Sequence, residues 1–236
     1  MRRRLSRFGV FATVSLLAGL TGPTLASAED ADWAQLKQYR DENQRLRPPS
    51  ATRPRVVFLG DSLTQSWDLT GLGLDEVELL NRGISGQTTP QMLVRFRQDV
   101  VSLKPAVVHI LAGTNDLAGN TGPTTLEAIE ANLSSMVEIA EANHIRIVLA
   151  SVLPALDYPW RRGLQPAPRI VALNDWIRSF AGQHKLVYAD YYSVLVDSQG
   201  GFKSELADDG VHPNRAGYAA MDPIARQAVR RAVAAH

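Results

Sequence analysis

No cysteine occurs anywhere in the 236 residues. That absence excludes disulfides, thiolate metal sites and attachment to a membrane through a lipidated cysteine. Surplus charge is also scarce: 25 Lys and Arg stand against 24 Asp and Glu, with no basic stripe, so nucleic acid is not expected as a partner. Long apolar runs are lacking too, since the most extended one, Phe8 to Leu20, is interrupted by Gly and Thr and is short for a membrane span. No internal repeat divides the chain.

With Arg2, Arg3, Arg4 and Arg7 around its start and Ala26-Ser27-Ala28 behind, that run reads as an export signal over residues 1–28, cleaved after Ala28. An uncleaved anchor is the alternative, and Arg3-Arg4-Leu5 matches the twin-arginine pattern only in part. Loss of those four arginines takes the formal charge from +1 to −3. The expected plan is a signal peptide over 1–28, a leader helix and linker over 29–53, and one domain over 54–236, long enough to bury its own core. The protein is expected to be periplasmic or secreted, without stable membrane insertion once the signal is removed. Nothing in the sequence sets an oligomeric state.

What is present is an alternation of strands and helices. In the leader, Trp33, Leu36 and Tyr39 are at helical spacing and Pro48-Pro49 is a stop. Apolar runs at Val56–Leu59, Val77–Leu80, Ala106–Leu111, Ile145–Val152 and Leu186–Ala189 read as buried strands. Between them, Thr89-Pro90 starts a helix running to about Leu103, Thr124-x-x-Glu127 is a capping-box pattern before a second, and 170–181 forms a third. A closing helix begins at Asn214, with a bend expected at Pro223. This order predicts an α/β fold, a three-layer α/β/α sandwich around a five-stranded parallel sheet. If the strand order is 2-1-3-4-5, the ends of strands one, two and three line one crevice.

Three strand ends and one late loop carry polar residues of catalytic type. The first strand runs into Gly60-Asp61-Ser62, where Ser62 is either a nucleophile or a cap for the next helix. Asp209-Gly210-Val211-His212 precedes the last helix: a carboxylate three residues ahead of an imidazole can fold back through a glycine turn and bond Nδ1–H, leaving Nε2 for the serine. Asp209 is then the orienting acid and His212 the base, and activity rises as the imidazole loses its proton. Read blandly, Asp208-Asp209 is a solvated turn and His212 a surface residue. The N–H groups of Ser62 and Gly83 and the side-chain amide of Asn115 are donors of the kind that stabilise an oxyanion, while Gly83 and Asn115 are also ordinary turn residues. The other histidines, His109, His144, His184 and His236, do not have metal-ligand spacing, so no metal is expected.

Gly60-Asp61-Ser62-Leu63-Thr64, Asn81-Arg82-Gly83-Ile84-Ser85-Gly86, Gly113-Thr114-Asn115-Asp116 and Asp209-Gly210-Val211-His212-Pro213 resemble the four ordered blocks of the SGNH, or GDSL, hydrolase superfamily. The resemblance spans roughly Arg55 to the C-terminus. It is nearest to compact bacterial acylhydrolases related to platelet-activating-factor acetylhydrolase subunits, from which the signal and leader depart. It implies a flavodoxin-like sheet, a triad of Ser62, His212 and Asp209, an oxyanion hole from Ser62, Gly83 and Asn115, and no metal or organic cofactor.

Membership would not choose a substrate. Asp61, Tyr158, Trp160 and Arg161 are expected as pocket residues, the last three from a proline-rich loop over 154–168. With no apolar stretch resembling a lipid-docking lid, short acyl chains, acetyl above all, are expected on a small-molecule or glycan ester. The rivals are a carbohydrate O-acyltransferase using the same triad, a lysophospholipase or thioesterase, and a non-catalytic carbohydrate-binding module.

Overall fold

The computed structural model describes residues 32–234. The export-signal reading of 1–28, the first residues of the leader and His236 lie outside them. Five strands, β1 (Arg55–Gly60), β2 (Glu78–Gly83), β3 (Val107–Leu111), β4 (Arg146–Ala150) and β5 (Val187–Ala189), form one sheet in the order β2-β1-β3-β4-β5. All four pairings are parallel. The α/β class and the strand order match the expectation. Every residue of β1 and β3 is buried, the signature of a parallel strand covered on both faces.

The helices are α1 (Arg40–Arg45), α2 (Ser62–Gln65), α3 (Thr89–Asp99), α4 (Thr114–Leu117), α5 (Leu126–Ala142), α6 (Ala167–Gln183), α7 (Tyr192–Leu195) and α8 (Arg215–Ala234). Successive strand side chains point to opposite faces. Val57, Leu59, Val108 and Ile110 therefore pack with Met92 and Phe96 of α3, Leu133 and Met136 of α5, and Leu173 and Ile177 of α6. Val56, Phe58, Val107 and Leu111 pack on the other side with Leu72, Leu195, and Met221, Ala225 and Val229 of α8. Each such large side chain contributes about 1.5–3 kcal/mol of burial, which is why the strand runs are legible as mainly apolar stretches.

Several boundaries shift for local reasons. The cap of α3 is Thr88, whose side chain and that of Gln91 form a capping box, so Thr89 is already helical and Pro90 stands inside the first turn. A short 3-10 turn at Val101–Leu103 replaces the expected last turn. Thr125, not Thr124, caps α5: its extended backbone lets its hydroxyl accept the Ala128 N–H at 3.2 Å. Helix α6 begins three residues early because Pro168 is tolerated in a first turn. Among the described residues of the leader, only Arg40–Arg45 is helical. The Asp32 carboxylate takes the N–H groups of Leu36 and Lys37, and Gln35 adopts φ 54°, so residues 33–39 fold as turns despite their helical spacing.

Register decides the site. Gly60, the last residue of β1, lies opposite both Gly83 and Leu111, so β2, β1 and β3 end level with one another. Their following residues meet at the switch point between β1 and β3, where an open α/β sheet leaves a crevice.

Candidate active site

Asp61 follows β1 and caps α2, its Oδ1 accepting the Leu63 N–H at 3.0 Å. Ser62 is thus the first helical residue and not the cap, and its hydroxyl is free for another partner. That partner is His212, whose Nε2 is 3.0 Å from Ser62 Oγ although 150 residues separate them. On the other side of the ring, Nδ1 lies 2.7 Å from Asp209 Oδ2. A carboxylate only accepts, so Nδ1 carries the proton and Nε2 is left to accept from the serine.

The Asp209–His212 turn is self-contained. Asp209 Oδ1 accepts the N–H groups of Val211 and His212 at 2.9 and 2.7 Å, and Gly210 takes φ +78°, which a side chain would strain. Burial alone would raise the Asp209 carboxyl, but the bonds from His212 and Val211 outweigh it and hold the group below its ordinary range. Asp208 turns to Asn214 Nδ2 at 3.0 Å, within the loop.

The opposite bank is a buried polar network. Asn115, in the first turn of α4, donates Nδ2 to Asp61 Oδ2 at 3.0 Å and to the Gln87 carbonyl at 3.2 Å. Its Oδ1 accepts from Asn120 Nδ2 at 2.8 Å. The Gly83 N–H donates to Asn81 Oδ1 at 2.9 Å. Glycine is required at 83 because a Cβ there would stand 2.2 Å from the Gln65 backbone nitrogen and 2.7 Å from the Asp61 carbonyl. The structure therefore brings Gly83 and Asn115 to the serine's turn, with both amides engaged by protein acceptors.

The pocket expectations need correction. Asp61 is completely buried, with each carboxylate oxygen receiving a hydrogen bond, so it supports the serine's turn from beneath and is no pocket wall. Burial pushes its carboxyl up to about 7, against the Leu63 N–H and the nearby imidazole, which lower it. Tyr158 is buried as well, its hydroxyl without a hydrogen-bond partner and its pKa raised by burial. Trp160 stands at the site: its ring centroid is 5.9 Å from that of His212, 5.2 Å from that of Tyr158, and its Nε1 donates to Asn120 Oδ1 at 3.1 Å. Arg161 is exposed and spends Nη1 on the Gly119 carbonyl at 2.6 Å. A cavity of about 280 Å³ behind Asp209 is lined by Leu156, Tyr158, Arg162 and Phe202 among others, and does not include Ser62.

Sequence reasoning missed Asn120, Gln87 and Arg95. Asn120 lies just past the Gly113–Asp116 block, and nothing in its own neighbourhood marks it as the residue that fixes the Asn115 amide. Among the described residues, no three His, Asp or Glu side chains converge as metal ligands, and no helix is long and apolar enough to cross a membrane. The constellation can activate a hydroxyl through an oriented imidazole and place amide donors across from it.

Comparison with known proteins gives the family. The model of the GDSL-like lipase/acylhydrolase family matches residues 58–220. A GDSL-like lipase from Bacteroides thetaiotaomicron superposes with a TM-score of 0.80 at 40% identity, covering 84% of this chain and 98% of that one. Platelet-activating factor acetylhydrolase IB subunit alpha1 of Pongo abelii is 28% identical over 73% of each chain. Esterase TesA of Pseudomonas aeruginosa is 27% identical, covering 71% of this chain and 84% of the esterase.

Proposed function

We propose, from the premise that this chain belongs to the GDSL-like lipase/acylhydrolase family and is a carboxylic ester hydrolase, that it cleaves short-chain esters, acetyl esters above all, through an acyl-enzyme on Ser62. His212 takes the Ser62 proton through Nε2 as Oγ attacks the ester carbonyl, and Asp209 stabilises the imidazolium through Nδ1. The tetrahedral oxyanion faces the Ser62 N–H together with two further donors, the Gly83 N–H and the Asn115 amide. Both already hold acceptors, but a full negative charge accepts about twice as strongly as a neutral carbonyl, so the Asn115 proton now on the Gln87 carbonyl at 3.2 Å is the one most readily shared. Collapse expels the alcohol with the proton from His212, and a water repeats the sequence to release the acid.

The observation that carries the reading is the relay Asp209 Oδ2, His212 Nδ1, His212 Nε2, Ser62 Oγ at 2.7 and 3.0 Å. Ser62→Ala assayed on p-nitrophenyl acetate tests it: hydrolysis at the parental rate, or fluorophosphonate labelling at another residue, removes Ser62 as nucleophile. The acetyl preference is supported by the acetylhydrolase relative and by Trp160 standing over the imidazole. A series from acetate to long-chain p-nitrophenyl esters that gave faster turnover of the long esters would reverse it. Export is proposed from residues 1–28, and a mature N-terminus at Glu29 on the protein recovered outside the cytoplasm is the expected result.

A further inference from the structure

The family match begins at residue 58, yet the strand ends that form the site are tied to residues well upstream of it. We propose that residues 32–47 are part of the catalytic apparatus, a strap that sets the oxyanion loops in position, with Tyr39 as its positioning residue, an inference that rests on the hydrolase reading above.

The Tyr39 hydroxyl donates to the carbonyl of Gly83. Its ring lies 4.7 Å from the Arg82 guanidinium carbon. Arg82 is only 1% exposed, and its Nε and Nη1 reach Asn43 Oδ1 and Glu42 Oε1, each at 2.9 Å. The peptide that carries the Gly83 N–H joins residues 82 and 83, so the strap grips it on both sides. A second line runs through Gln87. Its Nε2 donates to the Ala34 carbonyl at 2.8 Å while its own carbonyl holds Asn115. Its Oε1 accepts from Arg95 Nε, and Arg95 Nη2 reaches the Gly60 carbonyl at 2.9 Å, one residue before Asp61-Ser62. The strap thus connects to the ends of β1, β2 and β3.

A segment that merely covered the core would bury its large side chains, but Trp33 and Leu36 are 50% and 37% exposed. What holds the strap is donation from side-chain amides to its carbonyls, Gln91 to Trp33 and Gln98 to Leu36, both at 2.7 Å. Desolvation raises the Tyr39 phenol pKa, which keeps the donor protonated. Preorganised donors lose effect steeply with displacement, so the position of this loop is a kinetic quantity as well as a structural one.

Tyr39→Phe keeps the ring and removes one O–H. The expected result is kcat on p-nitrophenyl acetate about tenfold lower, KM within about twofold, and fluorophosphonate capture of Ser62 slowed in proportion. The pH profile stays in place because Asp209 and His212 are untouched, and hydrogen exchange rises at 83–88 but not in β3. Asn43→Ala, which removes the acceptor of Arg82 Nε, gives the same signature at smaller size. Arg53→Ala, which lies outside the strap and breaks bonds to the Asp75 and Val77 carbonyls at the far end of β2, leaves kcat unchanged even if it lowers Tm. Parental kcat and exchange in both Tyr39→Phe and Asn43→Ala, or an equal loss in Arg53→Ala, overturns the proposal. An active Ser62→Ala would instead sink the hydrolase reading, and the exchange at 83–88 would still test the strap.

Discussion

The two banks of the catalytic crevice are built to different degrees of burial. Asp61, Arg95 and Asn115 lie on the Ser62 side, nearly or wholly buried, and are tied into strand ends and the leader. Across from them, the side chains of His212 and Asp209 are 37% and 42% exposed and are held by a single glycine turn. Groups that oppose a developing negative charge act best when they cannot reorganise. An imidazole that takes a proton from one oxygen and gives it to another has more to gain from small rotations. In the proposed mechanism the difference places rigidity where charge appears and freedom where a proton travels.

Substitutions that remove either bank altogether should have the largest effect. Ser62→Ala and His212→Ala are each expected to cut kcat/KM on p-nitrophenyl acetate by about 10⁴-fold or more, and the double variant to be little worse than either, because the pair acts as a unit. A double variant far below both would deny that they do. Next, Asp209→Asn should lower kcat by about 10³-fold by favouring the wrong tautomer. Asn115→Ala should cost about 10²–10³-fold in kcat with little change in KM. If Asp209→Asn proves milder than Asn115→Ala, water is completing the exposed bank, and the contrast between the two sides becomes sharper.

A stability measurement probes the buried bank without catalysis. Because the Asp61 carboxyl is pushed up to about 7, the native protein binds more protons than the unfolded chain between about pH 4 and 7, and stability falls as pH rises through that window. The hydrogen bonds to both oxygens favour the ionised form, so the loss is smaller than burial alone would give. Urea unfolding at pH 5 and pH 8 should show this loss in the parent and not in Asp61→Asn, which cannot titrate there. Parallel changes in the two proteins would refute the assignment. The smallest effect belongs to the rim: Trp160→Phe keeps a ring over His212 and loses only the bond to Asn120, so KM should rise about twofold and kcat should stay close to the parent.

Much of this was legible in the residues. The strand runs could be read because a sheet covered on both faces needs apolar side chains in both directions, and Val56–Leu59 and Val107–Leu111 supply them. Asp209 and His212 could be paired because a three-residue separation with a glycine between them makes the turn local. Asp61 was misjudged for the opposite reason: a polar residue beside a nucleophile looks like a pocket residue, and only Asn115, 54 positions away, shows that it is closed over. The leader's Trp33, Leu36 and Tyr39 keep helical spacing without forming a stripe, since one carboxylate at Asp32 satisfies the N–H groups that a helix would have used.

By itself the sequence determined the layers of the fold, the strand ends on which the polar blocks fall, and the turn that orients His212, because each follows from side-chain periodicity or from chemistry within a few residues. Only the tertiary structure decided which amide protons are already engaged, that Asp61 lies beneath the site, and that a segment ahead of the family domain grips the Gly83 peptide. Those outcomes depend on which donor meets which acceptor across 28 to 58 residues of chain, and a buried group takes whichever partner the packing brings within about 3 Å.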